Sequence, residues 1–297
     1  MAWPTVPALA FCENIRIACR AVVAEAAWVR IDDRALERIS PGDPPRLDPG
    51  CHFLDGPPDA VATYVLTLDA VNFGSGWFAE LGQRPGGFGY EQVASALAQR
   101  FRAEGPWSAA ALRGLGVQEV GGRFGLEPGH ALTGHFTAAL RELGAFLDGR
   151  SALEVIAAAD GSGERLAALL ARGMPLWRDP LAKRAQLAAS DLVLAGVATF
   201  EDLGALTIFA DNLVPHVLRR DGALVLDPEL ERHLDAGLEL KPGRRELELR
   251  AAAVVAGERL ARRLGVTERD LDGMLWQRGQ AARYADPPAH RCRTTAY

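Results

Sequence analysis

From Tyr90 onward, apolar side chains recur three and four residues apart almost without interruption, the period of helices that turn one face to a core. The pattern predicts helices over residues 90–103, 131–147, 152–159, 164–171, 181–194, 203–219, 228–236, 245–264 and 268–277. Glycine-rich joints at 114–116, 121–122 and 160–163 punctuate them, and residues 119–124 retain a trace of β pattern. Upstream, residues 6–28 read as a long apolar helix with Ile15, Ala18, Val22 and Val23 on one face. Residues 31–39 read as a short helix whose Asp32 and Asp33 sit near the N-terminus, where the helix dipole favours negative charge. The Pro-, Gly- and Asp-rich stretch 40–56 is a loop. Residues 60–68 are apolar throughout, so periodicity leaves a strand and a buried helix equally open; the β-branched residues lean towards the strand.

This reading gives a mainly α fold with a small amount of β in the N-terminal half. At 297 residues the chain can bury a large core. One globular domain is expected, with a weak boundary near 82–89 that would divide it into packed subdomains of about 1–85 and 86–297. The formal charge of −5 leaves no overall basic field to hold a nucleic-acid duplex. The N-terminal residues lack a basic region and a clean apolar core, and no run reaches the length of a membrane span, so the expected compartment is the cytoplasm. Cys12 and Cys19 are seven apart, too far to clasp a metal as a CxxC pair, and Cys51 and Cys292 are distant from both. The six histidines are scattered. Free buried thiols, no metal site and no cofactor follow as expectations.

Four stretches carry chemistry. Asp211 follows directly on Leu203, Leu206, Phe209 and Ala210, which face a core at helical spacing; a carboxylate at that rim is a helix cap, an ion-pair partner or a functional group. Residues 69–78 pack Asp69, Asn72, Phe73, Trp77, Phe78 and two glycines together. They form either a buried turn capped by Asp69, or a surface where backbone comes close to a ligand and a flat ring stacks. Lys183-Arg184 is a solvated helix face or an anion site with a point charge and a forked donor. The last eight residues hold His290, Arg291, Arg293, two threonines and Tyr297, which suits either a frayed tail or phosphate capture.

Taken in order, the segments HFLDG (52–56), LDAVNFGSG (68–76), KRAQL (183–187), FEDLGALTIFAD with VP (200–215), ELELR (246–250), LDGMLW (271–276) and HRCRTTAY (290–297) resemble the queuosine salvage family, the queuosine 5'-phosphate N-glycosylases. Where that family continues its FAD motif with Tyr-Arg-Val-Pro-Gln, this chain carries Asn212, Leu213 and His216, while Asp211 stands in place. The resemblance implies a helical fold similar to the helix-hairpin-helix DNA glycosylases. It also implies metal-free hydrolysis of queuosine 5'-monophosphate to queuine and ribose 5-phosphate.

Against that chemistry Asp211 is the expected catalytic carboxylate, stabilising positive charge on the sugar and orienting water. Asp69 and Asn72 would meet the polar edge of the base and Phe73 or Trp77 its face. Asp202 would meet the cationic amine of queuine, with Glu201 equally placed. A subset of Lys183, Arg184, His290, Arg293 and Tyr297 would hold the phosphate. Two other classes stay open: a DNA-repair glycosylase or nucleic-acid-binding protein on a similar scaffold, and a non-catalytic helical adaptor.

Overall fold

The computed structural model describes residues 11–81 and 88–297, and is mainly helical. The helices are α1 (Phe11–Ala24), α2 (Asp33–Leu36), α3 (Pro58–Ala70), α4 (Ser75–Phe78), α5 (Tyr90–Glu104), α6 (Ala109–Gly114), α7 (Val117–Phe124), α8 (Ala131–Leu147), α9 (Ala152–Ala157) and α10 (Gly163–Gly173). They continue with α11 (Lys183–Leu194), α12 (Leu213–Arg220), α13 (Pro228–Asp235), α14 (Arg244–Leu264) and α15 (Glu268–Gly279). Strands β1 (Val29–Ile31) and β2 (Leu224–Leu226) pair antiparallel, Arg30 opposite Val225. Among the described residues no helix is long and apolar enough to cross a membrane.

The undecided run is the central helix α3, in which every residue from Ala60 to Ala70 is buried. Pro58 starts it, since a proline at the first turn lacks only an N–H that would go unpaired. It packs against α5, α8, α9 and α11, while α1 lies along α14. Residues 119–124, expected to keep β character, belong to α7, so the β structure of the N-terminal half is β1 alone among the described residues. Residues 31–33 leave β1 for α2, where the Asp32 carboxylate accepts the Ala35 N–H at 3.1 Å as an N-cap. Helix α1 begins at Phe11, and the rest of its expected start, like the core of the boundary expected near 82–89, lies outside the described residues. All four cysteines are free, three of them buried and Cys51 partly so.

The largest departure is the expected helix over 203–219. A single 3₁₀ turn covers Leu203–Ala205, the chain then runs extended, and α12 begins only at Leu213. Residues 206–210 are all buried, so apolar positions at helical spacing record a two-sided interior segment, not one helix face. Its backbone groups bond to side chains from distant elements: the Thr207 N–H to Gln186 Oε1 (2.8 Å), the Phe209 N–H to Asp272 Oδ1 (2.8 Å) and Ala210 C=O to Arg250 Nε (2.8 Å). A helix would have satisfied those groups internally. The segment fits because α14 carries Gly257 beneath it, where a Cβ would stand 2.2 Å from Ile208 Cγ1.

Candidate active site

The extended segment forms one wall of a cavity of about 390 Å³, within the range of small-molecule sites. Helix α11 supplies Lys183, Leu187, Ser190 and Asp191 from one face, and α15 supplies Arg269, Asp272 and Trp276, with Gln280 just past its end. The turn after α3 gives Asn72 and Phe73, the start of α4 Ser75, the loop before α3 Asp48 and His52, α5 Tyr90, and the C-terminus Tyr297. Asp211 lies on this wall with Asn72 and Phe73, half-buried.

Asp211 also caps. Its Oδ1 accepts the N–H groups of Leu213 (2.7 Å) and Val214 (3.0 Å), starting α12. The cap reading and the functional reading are therefore compatible, because one oxygen is anchored and the carboxylate is held rigidly at the cavity. Lys183 is buried, contrary to a solvated face, and its Nζ donates to the backbone O (3.3 Å) and Oδ1 (3.2 Å) of Asn72. Asn72 Nδ2 in turn donates to Asp69 Oδ1 at 3.3 Å. An ammonium on one side and a carboxyl on the other fix which way the Asn72 amide faces.

The remaining expected ligands divide. Asp69 is fully buried one layer behind the wall, with Oδ2 lacking any hydrogen bond among the described residues. Arg184 is buried too and does not line the cavity: Nη1 donates to Ala70 C=O (2.7 Å), Nη2 to Leu176 C=O, and the guanidinium covers the ring of Phe73 at 4.7 Å. Phe73 reaches the wall, but that cover and Phe136 occupy much of its ring. Trp77 packs on His135 (ring centroids 5.3 Å apart) away from the cavity. Asp202 caps α10, accepting the Gly163 N–H (2.7 Å) and the Ser162 hydroxyl, and Glu201 is exposed; neither lines the cavity.

The tail is ordered. Gly74 N–H donates to Tyr297 O at 2.9 Å, and Gly76 leaves the room for it, since a Cβ there would meet Cys292 O at 2.2 Å. Tyr297 reaches the cavity, and its hydroxyl meets His290 Nε2 (3.2 Å). His290 is buried outside the lining and held neutral, burial pushing it down to about 3. Arg293 is exposed and pairs with Glu80 and Glu239 (3.2 Å). Of the departures from the FAD motif, Asn212 and Leu213 line the cavity and His216 lies behind, bonded to Tyr284 C=O at 2.8 Å.

Several wall residues were not singled out from sequence. Ser190 and Asp191 continue the Lys183 face two turns along α11, and Asp272 and Trp276 sit inside LDGMLW. The helical period running on from Lys183 was the available signal. Tyr90 stands edge-on to Trp276 at 5.7 Å and donates to His52 Nε2 (2.9 Å), whose Nδ1–H meets Asp48 C=O (2.8 Å). Ser75 Oγ and Arg269 Nη2, both buried on the wall, have no hydrogen-bond partner among the described residues, and so offer polar atoms to an occupant.

Carboxyls outnumber cations here, but burial changes the balance. Desolvation raises Asp69 and Asp191 above the usual carboxylate range and, with the charge of Asp211, lifts Asp272 to about 8. Lys183 is lowered by burial, with Asp211 and Asp69 opposing. Burial thus disfavours negative charge on these carboxyls, and the wall also carries Lys183 and Arg269, the latter paired with Asp270 through Nη1 at 2.6 Å. Among the described residues no group of three or more His, Cys, Asp or Glu is arranged to hold a metal ion.

A family model described as "Queuosine salvage protein" matches residues 51–297. A Sphaerobacter thermophilus protein named queuosine 5'-phosphate N-glycosylase/hydrolase is 33% identical over 311 aligned residues, 94% of this chain and 96% of that protein. A Dictyostelium discoideum protein of the same name is 34% identical over 125 residues, 39% of each chain.

Proposed function

The chain belongs to the queuosine salvage protein family, and from that premise we propose that it hydrolyses the N-glycosidic bond of queuosine 5'-monophosphate, releasing queuine and ribose 5-phosphate. One observation carries the reading: Asp211, rigidly anchored by two backbone N–H groups, shares a small cavity with Lys183, Asn72 and an aromatic wall. Breaking a glycosidic C–N bond builds positive charge on the sugar. A carboxylate beside that carbon stabilises the charge and accepts a proton from the attacking water. Exclusion of bulk water strengthens this attraction.

The other roles follow from what the wall offers. Lys183, tethered through two of its donors to Asn72, keeps a third N–H for the 5'-phosphate, with Ser75 Oγ beside Asn72 in the chain as a second donor. Arg269 Nη2 suits a carbonyl on the base edge, Asp191 and Asn72 its other polar atoms, and Tyr90 or Trp276 its face. The cationic amine of queuine goes to Asp48 and Glu91, exposed carboxylates at the rim, since Asp202 is committed to α10.

The experiment incubates the protein with queuosine 5'-monophosphate, queuosine and a damaged-base duplex, in EDTA, and follows free base by chromatography. Queuine from the nucleotide is expected, and base released only from the duplex would move the assignment to DNA repair. Asp211→Asn keeps the shape and loses the charge. It should bind substrate yet turn over at least ~100-fold more slowly, the scale of a positioned electrostatic or acid/base group. Near-wild-type turnover would remove Asp211 from the role.

A further inference from the structure

The glycosylase reading supplies a carboxylate for the water but no proton for the base. A 7-deazaguanine lacks the basic ring nitrogen through which a purine can be protonated before it leaves, so its departing nitrogen needs an acid placed near the sugar. Several side chains on the wall carry protons. His52 has Nδ1–H committed to Asp48 C=O, and its Nε2 accepts from Tyr90, which commits that hydroxyl proton as well. Asp191 feels Asp69 as its strongest charged neighbour, whereas Asp272 feels Asp211.

Asp272 reaches the cavity from α15 and Asp211 from the extended segment, and one hydrogen bond ties the two elements together. Phe209, two residues before Asp211, donates its N–H to Asp272 Oδ1 at 2.8 Å. That bond fixes one oxygen of a carboxyl only 6% exposed and leaves Oδ2 to carry a proton. We propose that Asp272 is the general acid of the cleavage, giving its proton to the departing base while Asp211 takes one from the attacking water; the proposal rests on the glycosylase reading above.

The charged groups facing Asp272 are Asp211 from the extended segment, Lys183 and Asp191 from α11, and Arg269 one turn earlier on α15. Burial and the charge of Asp211 hold Asp272 up at about 8, with the Phe209 N–H and Lys183 opposing, so it keeps its proton at neutral pH. The cavity that Asp211 lines thereby also holds a protonated carboxyl, the form a general acid needs.

The step balances. The bond between C1' and the base nitrogen breaks with its electron pair going to the base, and the Asp272 proton follows onto the base. Water adds its oxygen to C1' and gives a proton to Asp211. Asp272 ends ionised and Asp211 protonated, and one proton passing from Asp211 to Asp272 restores the starting state.

The test compares two leaving groups, queuine and nitrophenolate, the second from the nitrophenyl riboside 5'-phosphate, which departs as a stable anion and needs no acid. Asp272→Asn retains an acceptor for Phe209. It should lose ~100-fold or more in kcat on queuosine 5'-monophosphate and less than ~10-fold on the nitrophenyl substrate, the signature of lost proton donation. Asp211→Asn should lose comparably on both. The wild-type enzyme should lose kcat on the nucleotide as pH rises past about 8, with no such limb for nitrophenolate release. Equal losses on both substrates in Asp272→Asn, or the same alkaline limb for both in the wild type, overturn the assignment while leaving the glycosylase reading intact. A wild-type protein that releases neither leaving group overturns both.

Discussion

Arg250 is the side chain on which the site's geometry converges, and removing it is the sharpest structural test. It is 2% exposed and forks onto Asp179, itself 2% exposed, through Nη1–Oδ1 (2.8 Å) and Nη2–Oδ2 (2.6 Å). Its Nε donates to the carbonyl of Ala210, the residue before Asp211, and its guanidinium stacks on Tyr297 at 4.6 Å. Asp179 Oδ2 also accepts the backbone N–H of Lys183 at 3.0 Å, fixing the start of α11. One buried pair thus holds Asp211, Lys183 and Tyr297 in register. Its worth is not the Coulomb energy of the pair, because taking both charges out of water cancels much of that gain. The cost appears when one partner goes. Arg250→Met roughly preserves volume and strands the Asp179 carboxylate, which should cost ~3–5 kcal/mol, as breaking a buried pair does. Asp179→Asn strands the guanidinium, relieved in part by Glu246 at 3.4 Å and the Ala210 carbonyl. The double variant leaves neither charge unpaired and should recover ~1–3 kcal/mol relative to the sum of the singles. Urea unfolding of the four proteins, with slopes compared to confirm a common transition, reads the cycle. Additive losses, or a single Arg250→Met cost below ~1 kcal/mol, would refute the account. At a temperature where Arg250→Met stays folded, kcat should fall by ~100-fold, since a shift of about 1 Å at a reacting group costs that much.

Two further outcomes follow from the same cavity. Asp272 is held at about 8 against an ordinary 3.8, so its raised value stabilises the fold relative to an ionised chain only at low pH and is lost as pH rises towards 8. Asp272→Asn should therefore gain in stability over wild type by ~1.4 kcal/mol per pH unit, reaching about 4 kcal/mol at neutrality and levelling above pH ~8. Melting curves at about pH 5 and about pH 8 check the sign, and an increment that is flat or shrinks with pH contradicts it. Lys183→Met should raise KM for the 5'-phosphorylated nucleotide at least ~10-fold, the worth of a charge-assisted hydrogen bond, and leave the unphosphorylated nucleoside nearly unchanged. Equal shifts for both would take Lys183 away from the phosphate.

Legibility from sequence followed how local the forces are. Helix α8 could be read to the residue because seventeen positions repeat one pattern, and α14 to within one residue at its start. Helix α3 could not be typed by period because all its faces are buried, although Pro58 and the acidic Asp59 at its start were a usable helix signal. The stretch before α12 misled for a non-local reason: Gln186, Arg250 and Asp272, from three other elements, occupy its backbone groups. Asp211, Asn72, Lys183 and Tyr297, singled out from sequence, line one cavity. Asp202 and Trp77 lie off the cavity, since a carboxylate can cap a helix and an indole can pack on a neighbouring ring as readily as either can meet a ligand. Asp191 was missed although it lies two turns from Lys183 on the same face of α11, whereas Arg269 belongs to α15, which only folding brings against α11.

These placements set the charge of a cavity lined by several carboxyls. If Asp69, Asp191, Asp211 and Asp272 were all ionised, their mutual repulsion and the exclusion of phosphate would defeat the site. Burial disfavours that charge on Asp69, Asp191 and Asp272 without removing the side chains. Asp69 orients Asn72, Asn72 orients Lys183, and Asp272 keeps a proton in the cavity that Asp211 lines. Asp211 stands half-buried at the start of α12, where its Oδ1 accepts two backbone N–H groups. The extended run of residues 206–211 is what makes this possible. Had it continued as a helix from Leu203, the N–H groups of Leu213 and Val214 would have gone to the preceding turn and left nothing for the Asp211 carboxylate. The break in the helix is therefore what anchors the Asp211 carboxylate at the cavity wall.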